Sequence, residues 1–440
     1  MDDQTYATAV RDALLGSISH IDHEKYRFLA HPERDFTRER RLPFRDILRI
    51  CIQMEGKTLQ NELLGYFDFG DGTPSKSALC QQRAKVPSEA FRSLYDHFTE
   101  AITALDLPKT FHGYRLLACD GTDVNIPYHP ADTQTFHKHG SHQGYNQLHL
   151  DAFYDLLNGI YIDSCIQTKD DERAALLSMA DRYTGDAPAI IIADRGYEGY
   201  EPIVRLIRSP HHFIIRLKDI GSNGILSTHD LPDGAFDLDL ETLLTKRQTK
   251  EVKEHRDIYT IIAHSTPFSF IDEDTPCFPL KLRLVRMEVA PGVYACVATD
   301  LDREAFPPAV IQELYRMRWD IEGAFRELKY TIDLVHFHGV RRLCVEQEIW
   351  SRLILYNFSE AIIRHTTVTR QTGIERERKY TYKIVISTAV RICREFLKRG
   401  DGEYHPCRLI GRYLTPIRPD RSAPRKVRSQ SAKCFLYRAA

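Results

Sequence analysis

The stretch YRLLACDGTD, residues 114–123, is an apolar run that stops on an acidic residue and a glycine. Its apolar, bulky side chains predict a strand over 114–119, with Asp120 directly after it. The pattern returns in AIIIADRGY, residues 189–197, where a buried strand over 189–193 runs into Asp194. In α/β sheets ligand sites lie beyond the carboxyl ends of strands, which makes Asp120 and Asp194 candidate functional carboxylates. Gly121 and Gly196 are expected to take the backbone through tight turns that a side chain would obstruct.

Outward from these two stretches, LHLDAFYDLL (148–157) and IYIDSCIQT (160–168) predict strands joined by a hairpin turn at Leu157-Asn158-Gly159. DERAALLSMADRY (171–183) predicts a helix and HFIIRL (212–217) a further strand, which together make an α/β core. Residues 1–105 read as helices, with apolar residues at helical spacing in FRDILRICIQM and EAFRSLYDHFTEAITAL and breaks such as FDFGDGTPSKS between them. From Gly221 to about Asp302 the helical signal disappears, and IYTIIAHS, LKLRLVRMEV and VYACVATD predict a β-rich insertion. Asp300 or Asp302 is expected to cap the helix that follows, with Pro307 and Pro308 in its first turn. EQEIWSRLILYNFSEAIIR and YKIVISTAVRICREFLKR predict two further helices.

The helix after the insertion carries YRMRWDIEGAFRELK, residues 315–329. At about 100° per residue, Tyr315, Arg318, Glu322 and Lys329 fall within an arc of roughly 60°. The apolar residues Leu314, Met317, Ile321, Ala324, Phe325 and Leu328 fill the neighbouring arc, so the polar stripe borders the buried face. Glu322 is thereby a third candidate carboxylate. Two strand-end aspartates and a helical glutamate form an all-oxygen donor set, which suits Mg²⁺ or Mn²⁺ and not zinc. A pair of such ions activates an attacking hydroxyl and stabilises the leaving oxygen in phosphodiester displacement. The segment HKHGSHQGYNQLH (137–149) holds four histidines, but their spacing matches no familiar zinc pattern and no metal role is assigned to it.

The bulk charge agrees with a nucleic-acid binder only when it is divided by position. The chain has 440 residues, 42% hydrophobic and 28% charged, which suits two or three ordinary globular domains. No apolar run approaches the length of a membrane span, and MDDQTYATAV lacks the apolar region of a secretory signal. Ten cysteines without a CxxC pair argue against a zinc site or a disulfide framework and for a reducing compartment. The net charge of −1 conceals a basic segment: residues 364–440 hold 19 Lys/Arg against 6 Asp/Glu. A second basic run, RDFTRERRLPFRDILR (34–49), has six arginines against three acids. Charge segregated in this way predicts a polyanionic partner.

The combination LLACDGT, IIADRGY followed by FIIRLK, and Y-x2-R-x3-E-x6-K resembles the DDE transposases of bacterial insertion sequences. Within them it is similar to the fourth insertion-sequence family, whose Tyr-Arg-Glu-Lys signature is matched by Tyr315, Arg318, Glu322 and Lys329. The resemblance implies an RNase H-like catalytic core carrying a β-rich insertion, preceded and followed by helical regions. It implies a helical N-terminal DNA-binding region at 1–108 and a first part of the core at 109–220. The insertion is then 221–302, the core completion with the catalytic Glu helix 303–345, and the C-terminal helical region with its basic tail 346–440. It further implies that Asp120, Asp194 and Glu322 are catalytic and hold two Mg²⁺ or Mn²⁺ ions. Tyr315, Arg318 and Lys329 are implied to grip the transposon end while a DNA hairpin forms. The implied partners are double-stranded DNA (terminal inverted repeats and target) and a second copy of the chain on DNA. The implied location is the bacterial cytoplasm, without a membrane. A metal-dependent nuclease and a DNA-binding protein derived from a transposase are alternatives on the same fold.

Overall fold

The computed structural model describes residues 1–38, 40–138, 140, 144–372, 382–399 and 404–416. Much of the basic tail and His139 and His142 of the histidine-rich segment lie outside the described residues.

Five helices open the chain: α1 (Asp3–His23), α2 (Phe44–Gln53), α3 (Leu59–Tyr66), α4 (Lys76–Arg83) and α5 (Ser88–Thr103). Asp2, Thr58 and Ser75 cap α1, α3 and α4 by accepting a hydrogen bond from a backbone N–H three residues on, which satisfies a donor the helix cannot. The sheet then begins with β1 (Arg115–Ile126), β2 (Phe136–His137), β3 (Tyr145–Asp155) and β4 (Ile160–Gln167). The β3–β4 hairpin turns at the predicted place. Gly159 takes φ +71°, and Asp155 Oδ1 accepts from the backbone N–H groups of Leu157 and Asn158. After α6 (Glu172–Arg182), β5 (Ala189–Ala193), α7 (Tyr200–Ile207) and β6 (His212–Leu217), the chain enters β7 (Phe236–Thr245), α8 (Lys250–Glu254), β8 (Tyr259–Ile261), β9 (Cys277–Ala290) and β10 (Val293–Thr299).

These ten strands belong to one sheet, in the order β2-β3-β1-β5-β6-β10-β9-β7-β8, with β4 also on β3. β1 runs antiparallel to β3 and parallel to β5, and β5 is parallel to β6. The strands of 221–302 therefore lengthen the central sheet: β10 lies antiparallel beside β6. Alternation along β1 sends Leu116 and Ala118 to one face and Leu117 and Cys119 to the other. The first face packs with α1, α5, α10 (Trp319–Tyr330) and α11 (Arg342–Thr372), the second with α6 and α7.

Two local expectations fail for identifiable reasons. Neither Asp300 nor Asp302 caps α9 (Pro308–Met317). Asp302 Oδ1 instead accepts from Glu304 N and Ala305 N in a preceding turn, Asp300 accepts from Phe213 N, and Pro307 enters α9 with extended backbone. YKIVISTAVRICREFLKR is also not one helix. Tyr382–Ile384 form β11, paired with β12 (Leu414–Pro416), and α12 begins only at Ile386. The β-branched run at its start prefers the pleat.

The N-terminal helices are anchored to α11 through buried charge. Arg83 on α4 reaches Glu348 at 2.9 Å, Gln347 Oε1 at 2.6 Å and the Cys344 carbonyl at 2.6 Å. His338 meets the same Glu348 at 3.2 Å, and these partners hold the glutamate far below the usual carboxylate range against the penalty of burial.

Candidate active site

β1 does not stop at Cys119. It runs on to Ile126 because β3 continues beside it, with Asp120 opposite Ala152 and Gly121 opposite Asp151. The parallel pairing of β1 with β5 does end there, at Cys119 and Ala193. Asp120 and Asp194 are thus the first residues beyond the last parallel pair, one inside a strand and one at a strand end. Asp194 Oδ1 accepts a 2.7 Å bond from Gly196 N, which sets the short turn that follows. Gly121 is not a turn residue as expected. It lies in the strand, and a Cβ there would stand 2.2 Å from His149 Nε2.

The third carboxylate arrives from across the sheet face. The predicted single helix is two, α9 and α10, which meet at Arg318 in a turn tightened by i to i+3 bonds. Leu314, Ile321, Ala324, Phe325 and Leu328 are buried as the stripe required, and Met317 packs at the edge of the same core. Arg318, only 4% exposed, lies between two acids, 3.1 Å from Glu322 and 3.5 Å from Asp120. Burial pushes the Asp120 carboxyl up to about 6; Arg318 opposes this, while Asp194 and Glu322 add to it. Asp194 and Glu322 thus act on Asp120 electrostatically, with one guanidinium offsetting part of the charge, but the oxygens of the three acids do not all lie within 4.8 Å of one another.

The remaining stripe residues divide. Lys329 Nζ donates to Thr122 Oγ1 at 2.6 Å and so stands beside β1. Tyr315 is buried, and neither its hydroxyl nor Arg318 Nε has a hydrogen-bond partner among the described residues. An open groove of about 1000 Å³ is lined by Asp120, Thr122, Glu322 and Lys329, with Trp319 and Tyr330 on its rim. Trp319 is 52% and Tyr330 72% exposed.

A second polar group, not singled out by the sequence reading, lies on the opposite face of β1. His149 and Asp151 project from β3 toward Glu172 at the start of α6, with donor atoms within 4.8 Å of one another. Burial disfavours a charged His149, yet the hydrogen bond to Asp123 and the close Asp151 and Asp170 carboxylates outweigh it and push its pKa up to about 10. His149 belonged to the histidine-rich segment. The available signal was the i, i+2 spacing in LHLD, which puts His149 and Asp151 on one face of a strand.

Strand order β4-β3-β1-β5-β6, with an antiparallel hairpin on one side of β1 and parallel strands on the other, defines the RNase H-like class. Residues 111–358 match a family model described as the transposase DDE domain. The match spans more than half of the chain, which belongs to that family of DNA-rearranging polynucleotidyl transferases. No curated protein matches it. Among solved structures it is similar to a cryo-EM structure of piggyBac transposase in a synaptic complex with hairpin DNA. The identity is 9%, the coverage 82% of this chain and 70% of that one, and the TM-score 0.43. Among the described residues no helix is long and apolar enough to cross a membrane.

Proposed function

We propose that this chain is an active transposase that binds the terminal inverted repeats of an insertion sequence, cleaves the DNA strands there and joins them to a target. The observation that carries this reading is Arg318, held between Asp120 and Glu322, with Asp120 and Asp194 each following directly on the last parallel pair of β1 and β5. Asp120, Asp194 and Glu322 are the residues that would hold Mg²⁺ or Mn²⁺. The chemistry that divalent ions would supply there is activation of an attacking hydroxyl and stabilisation of the leaving oxygen.

The chain's own side chains then have separable tasks. Arg318 offsets part of the negative charge that gathers the three acids. Lys329, steadied by Thr122, presents a cation to a phosphate in the groove. The Tyr315 hydroxyl is a spare donor beside Arg318 for an end held in a hairpin. The basic run at 34–49, on the helical N-terminal region, is the proposed contact with the inverted repeat, and pairing of two copies on DNA completes the assembly.

The test is incubation of the protein with a labelled end fragment and Mg²⁺, followed by sizing of nicked, hairpin and joined products. Asp194→Ala is expected to abolish all three while end-fragment binding persists. Robust cutting by Asp194→Ala overturns the assignment. Nicking without hairpin or joined products by the unaltered chain favours a nuclease.

A further inference from the structure

We infer that His149, Asp151 and Glu172 form a second divalent-cation site, on the sheet face opposite Asp120, that takes a transition-metal ion such as Mn²⁺. The site is separate from the carboxylates of the proposed reaction and does not depend on that reading.

Three observations carry it. First, His149 Nε2 and Asp151 Oδ1 are buried and stand 3.5 Å apart without making a hydrogen bond to each other or to any other described residue, and both turn toward Glu172. Buried polar atoms are rarely left so without an unseen ion or water. Second, the charges do not balance. Asp123, Asp151, Asp170 and Glu172 approach the one imidazole at 3.1, 3.5, 3.7 and 3.7 Å. Apart from Asp123, which holds Nδ1, a protonated His149 neutralises a single one of the three acids around Nε2, and burial together with Asp170 pushes the Glu172 carboxyl up to about 7. Third, the surroundings are those of a ligand set. Asp123 Oδ1 accepts from Nδ1, which orients the ring so that Nε2 faces the acids, and Gln167 Nε2 holds the other oxygen of Asp151 at 3.0 Å.

The glycine at 121 keeps this space open. A Cβ there would lie 2.2 Å from His149 Nε2 and 3.0 Å from both Asp151 Oδ1 and Glu172 Oε1. One imidazole nitrogen with two carboxylates is a mixed set that favours Mn²⁺ or a later first-row ion over Mg²⁺. Asp170 and Glu172, at the more exposed side, give the ion an entry path. The other Glu172 oxygen faces Asp194: both lie within about 3 Å of the place a Cβ on Gly196 would take, at 2.8 and 3.0 Å. An ion taken up by Glu172 therefore bears on the position of Asp194.

The chemistry of the donors separates the two sites in one experiment. The carboxylate site offers only oxygen, so a nitrogen-14 modulation in the electron spin echo of bound Mn²⁺ reports the second site alone. The full chain loaded with Mn²⁺ is expected to show it. So is a variant with Asp120→Asn, Asp194→Asn and Glu322→Gln together. His149→Gln is expected to lose the signal, and Glu172→Gln to weaken Mn²⁺ binding at this site at least tenfold. Glu172 sits half exposed at a helix start, so that variant tests the site even where His149→Gln fails to fold. An unaltered chain without nitrogen coupling, or a nitrogen-coupled Mn²⁺ whose affinity is unchanged in Glu172→Gln, overturns the inference.

Discussion

Lys329 Nζ and Thr122 Oγ1 are joined by a 2.6 Å hydrogen bond that ties the last turn of α10 to β1, two residues beyond Asp120. The bond fixes the spacing between the helix that bears Glu322 and the strand that bears Asp120. It also aims a lysine into the groove shared by those two acids.

Thr122→Val keeps the shape of the side chain and removes the acceptor. Loss of one such bond costs about 1 kcal/mol, a drop of a few degrees at most in melting temperature. If Lys329 holds a DNA end, hairpin formation should fall about tenfold while first-strand nicking changes little. The two steps are followed separately on a labelled end fragment. Equal losses would assign the bond a purely structural role.

Asp120 makes the metal-free protein less stable at neutral pH. Its carboxyl, raised to about 6 by burial, ionises more readily in the unfolded chain, so protonation favours folding. That contribution is complete below the unfolded value near 4 and is lost as pH rises through about 6. Above pH 6 the difference amounts to about 3 kcal/mol. Asp120→Asn should therefore raise the melting temperature at pH 7.5 without divalent ions, and the gain should vanish near pH 4. A variant less stable than the parent at pH 7.5 would show that the charged carboxylate stabilises the site.

How far the sequence carries depends on whether a feature is periodic. AIIIA and HFIIRL were legible as short apolar runs bounded by turn residues, and the α10 stripe because burial of one helix face imposes a repeat. The joining of β10 to β6 was not, since strand order across a long insertion depends on contacts that leave no local pattern. The break at Arg318 was hidden for the opposite reason: its residues have helical propensity and helical dihedrals, and only the hydrogen-bond spacing changes. Gly121 was misread as a turn because Asp-Gly is a common turn pair. Its reason for being glycine is His149, a neighbour 28 positions away that only the β1–β3 register brings close.

Gly121→Ala puts that reading to a direct test. The added methyl would meet His149 Nε2 at 2.2 Å, and crowding of this kind costs about 1–3 kcal/mol. In a His149→Ala background the same change should cost markedly less, giving a coupling energy of about 1 kcal/mol or more in a double-mutant cycle. Denaturant unfolding of the four proteins measures it. Additive effects would mean that the glycine answers to some constraint other than the imidazole.

Arg83→Met asks whether the N-terminal helices and the core unfold as one unit. The change leaves Glu348 buried with the His338 ring and the backbone N–H groups of His338 and Gly339 but without its closest guanidinium, and breaking a buried pair by removing one partner costs about 3–5 kcal/mol. If the helices depend on this contact, protease cleavage should appear first within residues 30–90 of the variant. Cleavage unchanged in rate and place would show that apolar packing of α1 and α5 on α11 suffices.

Arg318 is the residue whose removal should separate charge balance from chemistry. The single guanidinium charge is shared by two carboxylates, so Arg318→Ala leaves Asp120 and Glu322 to repel each other across the site. Loss of a charge-assisted contact of this kind costs about 1.5–3 kcal/mol in the metal-free protein. A divalent ion held by the same acids restores the missing positive charge. The variant should therefore melt several degrees lower than the parent without metal and should gain more than the parent from saturating Mg²⁺. Arg318→Lys should recover little, because a point charge cannot span two acids as a planar fork does. Thermal melts with and without Mg²⁺ decide the matter. A deficit that persists undiminished in Mg²⁺ would mean that Arg318 acts through its packing against Trp319 and Tyr315, whose rings lie 5.0 and 5.9 Å from the guanidinium, and not as the counter-charge of the site.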